Sequence, residues 1–95
     1  MFKKKKNEFY NKVTEIYNNQ ELLLSDKLRD ELLKAIKGFQ KGDRISYLAY
    51  RLFPYVLEET FSKPNKDLKE FKRYLEKVRW KYYFGEILGL AFIRN

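Results

Sequence analysis

The clearest helical pattern in this chain is the stretch KDLKEFKRYLEKVRWKYYF, residues 66–84. Large apolar side chains recur in it at steps of three and four residues, which is the spacing of one face of an α-helix. The residues of this apolar stripe are Leu68, Phe71, Leu75, Val78 and Tyr82. The stripe predicts an amphipathic helix that packs against the rest of a helical domain.

The opposite face of the same helix carries aromatic side chains among cations. At about 100° per residue, Trp80 and Phe84 fall nearly opposite the apolar stripe, beside Lys69, Arg73 and Lys77. Aromatic residues and arginine are enriched where protein interfaces bury their strongest contacts, so we interpret this face as a partner-binding surface. The candidate binding residues are Arg73, Lys77, Trp80, Lys81, Tyr83, Phe84 and Ile87.

The apolar segment 85–95 offers a second interpretation of these aromatic residues. Gly85 and Gly89 interrupt the segment, so we expect the fourth helix to end near Phe84 and the tail to be separate. A tail that folds back would cover Trp80 and Phe84 and form a second small core. Both interpretations remain open at this point.

Three further helices are predicted at about residues 5–20, 26–41 and 44–61. Ser25 and Asp43 are suited to cap the second and third helices, and Asn65 is suited to cap the fourth. Gly42 is a natural end for the second helix because glycine adopts the left-handed conformation that closes many helices. These signals place short connections between all four helices.

The third helix is apolar around most of its circumference and contains a proline. Pro54 must remove one backbone hydrogen bond, which predicts a kink near Tyr50. Two shorter helices broken at Phe53 are the alternative. A helix this apolar is expected at the centre of the core.

Helices of similar length joined by short connections favour antiparallel neighbours. The strand signals are poor, because no stretch sustains the two-residue alternation of a half-buried strand. We therefore predict an all-α protein, a single domain over residues 1–95 folded as an antiparallel up-down four-helix bundle.

Composition narrows the classes of function. The 95-residue chain has no cysteine and no histidine, which removes disulfides, thiolate nucleophiles and the most common general base and transition-metal ligand. Glu58 and Glu59 are adjacent and point in different directions from one helix, so we interpret them as solvated helix-end acids. Gly38 and Gly42 lack the pattern of a phosphate-binding loop. We predict a protein that is not an enzyme and binds no metal or cofactor.

The net charge of +8 predicts attraction to anionic partners, and a role in solubility alone is the alternative interpretation. A small nucleic-acid-binding regulator is the alternative function, although the predicted third helix is too apolar for a recognition helix in a helix-turn-helix motif. We interpret Lys3–Lys6 as a solvated start of the chain, and attraction to an anionic inner leaflet is the alternative. Polar residues follow these lysines where a secretion signal would be apolar, and no stretch is long enough to span a bilayer, so we expect a cytoplasmic protein.

The chain resembles the immunity proteins of class IIa, pediocin-like bacteriocins. The resemblance is carried by Glu15-Ile16-Tyr17-Asn18, by the second helix from Leu28 to Lys41, by Leu48, Tyr50, Arg51, Leu52 and Tyr55, and by Lys63-Pro64 followed by Leu68 and Tyr74-Leu75. It covers roughly residues 8–83 and consists mainly of length, helix order and apolar spacing. The resemblance implies a cytosolic four-helix bundle without an active site.

The resemblance also implies a partner. Pediocin-like bacteriocins open a pore at the membrane part of the mannose phosphotransferase permease, and their immunity proteins act on the toxin-bound receptor from the cytoplasmic side. In that family the C-terminal half distinguishes one bacteriocin from another. The resemblance therefore implies that this chain protects a producer cell and that its C-terminal half takes part in recognition.

Overall fold

The computed structural model describes the backbone of residues 2–94 and the side chains of residues 7–80. It contains four α-helices, α1 (Phe2–Asn18), α2 (Asp26–Lys41), α3 (Ile45–Ser62) and α4 (Lys66–Arg94). A short 3-10 helix at Gln20–Leu22 lies between α1 and α2, and no strand occurs within residues 2–94. The predicted all-α four-helix fold is confirmed.

The four helices share one apolar core. Of the predicted apolar stripe of α4, Leu68, Phe71 and Leu75 are buried there and Val78 is half-buried against the core, while the side chain of Tyr82 lies outside the described residues. The largest fully buried side chains are Phe9, Val13, Leu28, Leu32, Leu52, Val56, Leu68 and Leu75. Because each helix contributes at least one of them, the bundle is stabilised by packing between all four elements.

Contacts between α1 and α2 show how neighbouring helices run. Phe9, in the first half of α1, packs against Phe39 near the end of α2, with ring centroids 6.5 Å apart. Arg29, near the start of α2, donates a hydrogen bond of 3.4 Å to the carbonyl oxygen of Tyr17 at the end of α1. The two helices therefore run in opposite directions. Phe9 also meets Tyr74 of α4, with centroids 6.4 Å apart, which brings the first and last helices together.

The helix ends match most of the predicted caps. The hydroxyl of Ser25 accepts a hydrogen bond from the Leu28 amide at 3.2 Å, and the Asn65 side chain accepts one from the Asp67 amide at 2.8 Å. The prediction for α3 is wrong, because its N-cap residue is Arg44 and no side chain caps it. The Asp43 amide instead donates to the Gly38 carbonyl and helps to close α2.

Gly42 ends α2 in the left-handed conformation, with φ of 98°. We expect Gly42→Ala to lower the free energy of unfolding by about 1–2 kcal/mol, because a Cβ atom is disfavoured at this φ. No atom lies within 4 Å of the position that this Cβ would occupy, so backbone strain is the only expected cost. Urea denaturation measures the change. Asparagine tolerates the left-handed region better, so Gly42→Asn should lose less, and an alanine variant as stable as the parent contradicts the expectation.

Helix α3 continues through Pro54. The helix is unbroken from Ile45 to Ser62, so the alternative of two helices separated at Phe53 is wrong. Pro54 itself is exposed. A proline on the solvent side leaves its missing backbone hydrogen bond where water can reach the freed carbonyl oxygen, which explains why the helix tolerates it. The kink near Tyr50 stays a prediction.

A buried carboxylate joins the start of α2 to the end of α3. Glu59 is 7% exposed, and its two oxygens accept hydrogen bonds of 2.9 Å from the amide and the hydroxyl of Ser25. Lys63 lies 3.4 Å from the same carboxylate and also donates to the carbonyl oxygen of Leu23. Leu23 is held in the left-handed conformation, with φ of 48°. We call this set of contacts the Glu59 clamp.

The Glu59 clamp corrects one sequence interpretation. Glu58 is exposed as expected, but Glu59 is not a solvated helix-end acid. Burial raises the pKa of Glu59, and the hydrogen bonds from Ser25 together with Lys63 lower it by more, so the pKa lies below its ordinary value of 4.5. The carboxylate is therefore charged at neutral pH and has a structural role.

Candidate functional site

The outer face of α4, defined here by Lys69, Arg73, Lys77 and Trp80, lies on the side of the helix away from the core. All four residues are exposed, whereas Leu68, Phe71 and Leu75 of the same helix are buried. Over residues 68–80, the predicted division of α4 into an apolar stripe and an opposite cationic face that carries Trp80 is thus present in the structure.

Three of the seven predicted binding residues lie on this face. Arg73, Lys77 and Trp80 are separated by four and three residues, so the helix brings them to one side. The other four residues lie outside the part of the chain whose side chains the structure describes. These four are Lys81, Tyr83, Phe84 and Ile87.

Trp80 is the largest apolar side chain on the outer face, and 46% of its surface is exposed. It lies beside Arg79, whose guanidinium carbon is 5.7 Å from the centre of the tryptophan ring. The same carbon is 3.9 Å from the ring centre of Phe53, a buried residue of α3. Cations attract the faces of aromatic rings, so Arg79 links Trp80 to the α3–α4 contact.

Arg79 is a residue that the sequence interpretation missed. Its Nε atom is buried and has no hydrogen-bond partner among the described residues, while its guanidinium group lies against the rings of Phe53 and Trp80. The signal was its position four residues after Leu75, at the border of the apolar stripe. An arginine there can lay its stem on the core while its charge stays close to the surface.

The C-terminal segment does not form a separate tail. Helix α4 is continuous from Lys66 to Arg94 and passes through Gly85 and Gly89. The expected helix end near residue 84 is therefore wrong. A segment that continues a helix cannot fold back onto the same helix, so the interpretation in which residues 85–95 cover Trp80 is also wrong. Helix α4 has 29 residues and is about 43 Å long, whereas α3 has 18 residues and is about 27 Å long.

The described residues offer recognition chemistry on the outer face. Three cations can attract and orient an anionic partner, and Trp80 can supply apolar area. Among the described side chains, no group of three or more acidic, histidine or cysteine residues is placed to hold a metal ion. Within that same part of the chain, every helix is too short or too polar to cross a lipid bilayer.

Comparison with known proteins adds no relative. No protein-family model matches the chain, and neither a curated protein nor a solved structure is significantly similar to it. The resemblance to bacteriocin immunity proteins therefore rests on the residues and helix order described above.

Proposed function

We propose that this protein is a cytoplasmic bacteriocin immunity protein that acts by binding and not by catalysis. In this proposal it protects the producer cell from a pediocin-like, pore-forming bacteriocin. It binds the toxin-bound mannose phosphotransferase permease from the cytoplasmic side and prevents lethal leakage. The observation that carries the proposal is the half-exposed Trp80 among cations on the outer face of α4.

Two kinds of contact on the outer face of α4 would bind the partner. Arg73 and Lys77 are exposed cations that would orient the protein toward its partner and toward the anionic inner leaflet. Trp80 would provide the buried area, since tryptophan is the residue most enriched among the strongest interface contacts. Lys81, Tyr83, Phe84 and Ile87 extend this surface along the sequence in the proposal.

Several features of the chain support a role without catalysis. It lacks histidine and cysteine altogether. The buried carboxylate of Glu59 already accepts hydrogen bonds from Ser25 and forms an ion pair with Lys63. The outer face holds cations and an aromatic ring, a combination that suits adhesion to a partner surface more than proton transfer.

The test is expression of the gene in a bacteriocin-sensitive Gram-positive strain, followed by challenge with a panel of pediocin-like bacteriocins. We expect selective resistance to one or two toxins, measured as a rise in the minimal inhibitory concentration over an empty-vector strain. Immunoblotting shows that the protein accumulates. A soluble, abundant protein that protects against no toxin of a broad panel contradicts the proposal. Salt-dependent binding of DNA or RNA would then favour a nucleic-acid regulator.

A further inference from the structure

A groove of about 450 Å³ runs between α2 and α3, away from the outer face of α4. Its floor is apolar and is formed by Ala35, Leu48 and Leu52 together with Gly38. The two helices are close at this point, because a Cβ atom on Gly38 would lie 2.8 Å from the Cδ2 atom of Leu48. The floor is therefore made by side chains of both helices.

Cations line the rim of this α2–α3 groove. Lys34, Lys37 and Lys41 come from α2, and Arg51 comes from α3. Two acids lie in the groove as well, Glu31 and Asp43. Glu31 is already paired with Lys34 at 3.1 Å, which leaves Lys37, Lys41 and Arg51 against the single charge of Asp43. The groove thus has an excess of positive charge over an apolar floor.

The cations form an elongated row. Lys34, Lys37 and Lys41 are spaced by three and four residues, so they follow one side of α2 over about 10 Å. A compact anion such as phosphate cannot contact all of them at once. A ligand that matches the row must carry repeated negative charges at similar spacing along its length.

An acidic helix has that spacing. Carboxylates at every third or fourth position of an α-helix repeat at the same interval as the lysines of α2, and the apolar side of such a helix can lie on the groove floor. A single-stranded nucleic acid is a poorer fit, because it needs open aromatic faces for base stacking. The Tyr47 ring in this groove already has the Arg51 guanidinium over it at 6.0 Å, and its hydroxyl accepts a hydrogen bond of 3.2 Å from Arg51.

We propose that the α2–α3 groove binds an acidic amphipathic helix of a partner protein. The carboxylates of that helix would pair with Lys37, Lys41 and Arg51, and its apolar side chains would lie between them, over the groove floor and against the apolar stems of the two lysines. This site is separate from the outer face of α4 and does not depend on the immunity function.

The test uses the full-length protein and a synthetic helical peptide of about 20 residues in which a stripe of leucine and alanine is bordered by glutamates at helical spacing, so that one side of the helix carries both. Fluorescence anisotropy of the labelled peptide is measured at about 0.15 M salt. A peptide of the same composition in scrambled order, which has no acidic face, is the ligand control. We expect the ordered peptide to bind more tightly than the scrambled one.

Charge reversal locates the site. We expect the double variant Lys37→Glu with Lys41→Glu to weaken peptide binding by about tenfold or more, because like charges then face each other across the groove. The matched control is Lys27→Glu with Lys66→Glu, which makes the same change in net charge on two exposed lysines outside both the groove and the outer face of α4. Lys37→Gln with Lys41→Gln gives a milder change if the reversal impairs folding, which circular dichroism reports.

Each outcome of this test bears on the proposal. Loss of binding in the groove variants alone supports it. Equal loss in both double variants would show attraction to net charge without a site, and equal affinity for the scrambled peptide would remove the acidic-face requirement; either result overturns the proposal. The protein could instead bind a single-stranded oligonucleotide or anionic vesicles more tightly than the peptide, with the same dependence on Lys37 and Lys41. That result would assign the groove to the tighter ligand and overturn the proposal of an acidic helix.

Discussion

Trp80→Ala is expected to abolish protection against the cognate bacteriocin while the helical content of the protein is unchanged. Truncation of a central aromatic anchor commonly costs about 2 kcal/mol or more of binding free energy, which is roughly a thirtyfold loss of affinity. Trp80 is half exposed, so its removal from the folded protein should leave the main core intact. The measurement is the minimal inhibitory concentration of the toxin for cells that express each variant.

Phe61→Ala provides the matched control for Trp80. Phe61 is also a large exposed aromatic residue, with 80% of its surface accessible, but it lies near the end of α3 and not on the outer face of α4. Its truncation should leave protection intact. Full protection by the Trp80 variant would show that the outer face is not the binding surface. Loss of the helical circular dichroism signal would show that Trp80 is needed for folding.

Glu59→Ala is expected to lower the free energy of unfolding by about 3 kcal/mol. The change removes the two carboxylate oxygens that accept from the amide and the hydroxyl of Ser25, and hydrogen bonds to charged groups contribute about 1.5–3 kcal/mol. In a domain of this size the melting temperature should fall on the order of 10–20 °C. Urea denaturation and thermal melting followed by circular dichroism measure the change.

Glu58→Ala is the control for this prediction, since Glu58 is the exposed neighbour of Glu59 and should change stability by no more than about 0.5 kcal/mol. The pH dependence has a definite sign. The folded-state pKa of Glu59 lies below its ordinary value of 4.5, so its contribution is complete above that value and is lost as the pH falls through the folded-state pKa. The gap in stability between the parent protein and Glu59→Ala should therefore narrow in acid. A gap that is constant down to strongly acidic pH contradicts the role of the charged carboxylate.

The features that could be predicted from the sequence are local ones. The apolar stripe of α4, the Ser25 and Asn65 caps and the left-handed Gly42 all depend on residues within a turn or two of one another. The exposure of Trp80 follows from the same helical geometry. These elements fix the four helices and the direction in which the outer face of α4 points.

The features that could not be predicted depend on contacts between residues distant in sequence, or on a balance of small free-energy contributions to helix stability. Glu59 pairs with Ser25, and no feature of the α3 sequence predicts that contact. The position of the Arg79 guanidinium group is set by the ring of Phe53, which belongs to another helix. Helix α4 passes Gly85 and Gly89 because a penalty of about 1 kcal/mol per glycine is small enough for other contributions to outweigh. The α2–α3 groove arises only when two helices are placed side by side.

The Glu59 clamp also has a consequence for the order of folding. Ser25 and Glu59 are 34 positions apart, so their contact closes a loop that includes all of α2 and most of α3. Closing such a loop costs chain entropy, which is recovered only after the two helices have docked. The clamp should therefore form late, after the rate-limiting barrier. Removal of the Glu59 clamp would then leave the refolding rate nearly unchanged and increase the unfolding rate. The clamp would therefore lengthen the lifetime of the folded bundle without helping it to form.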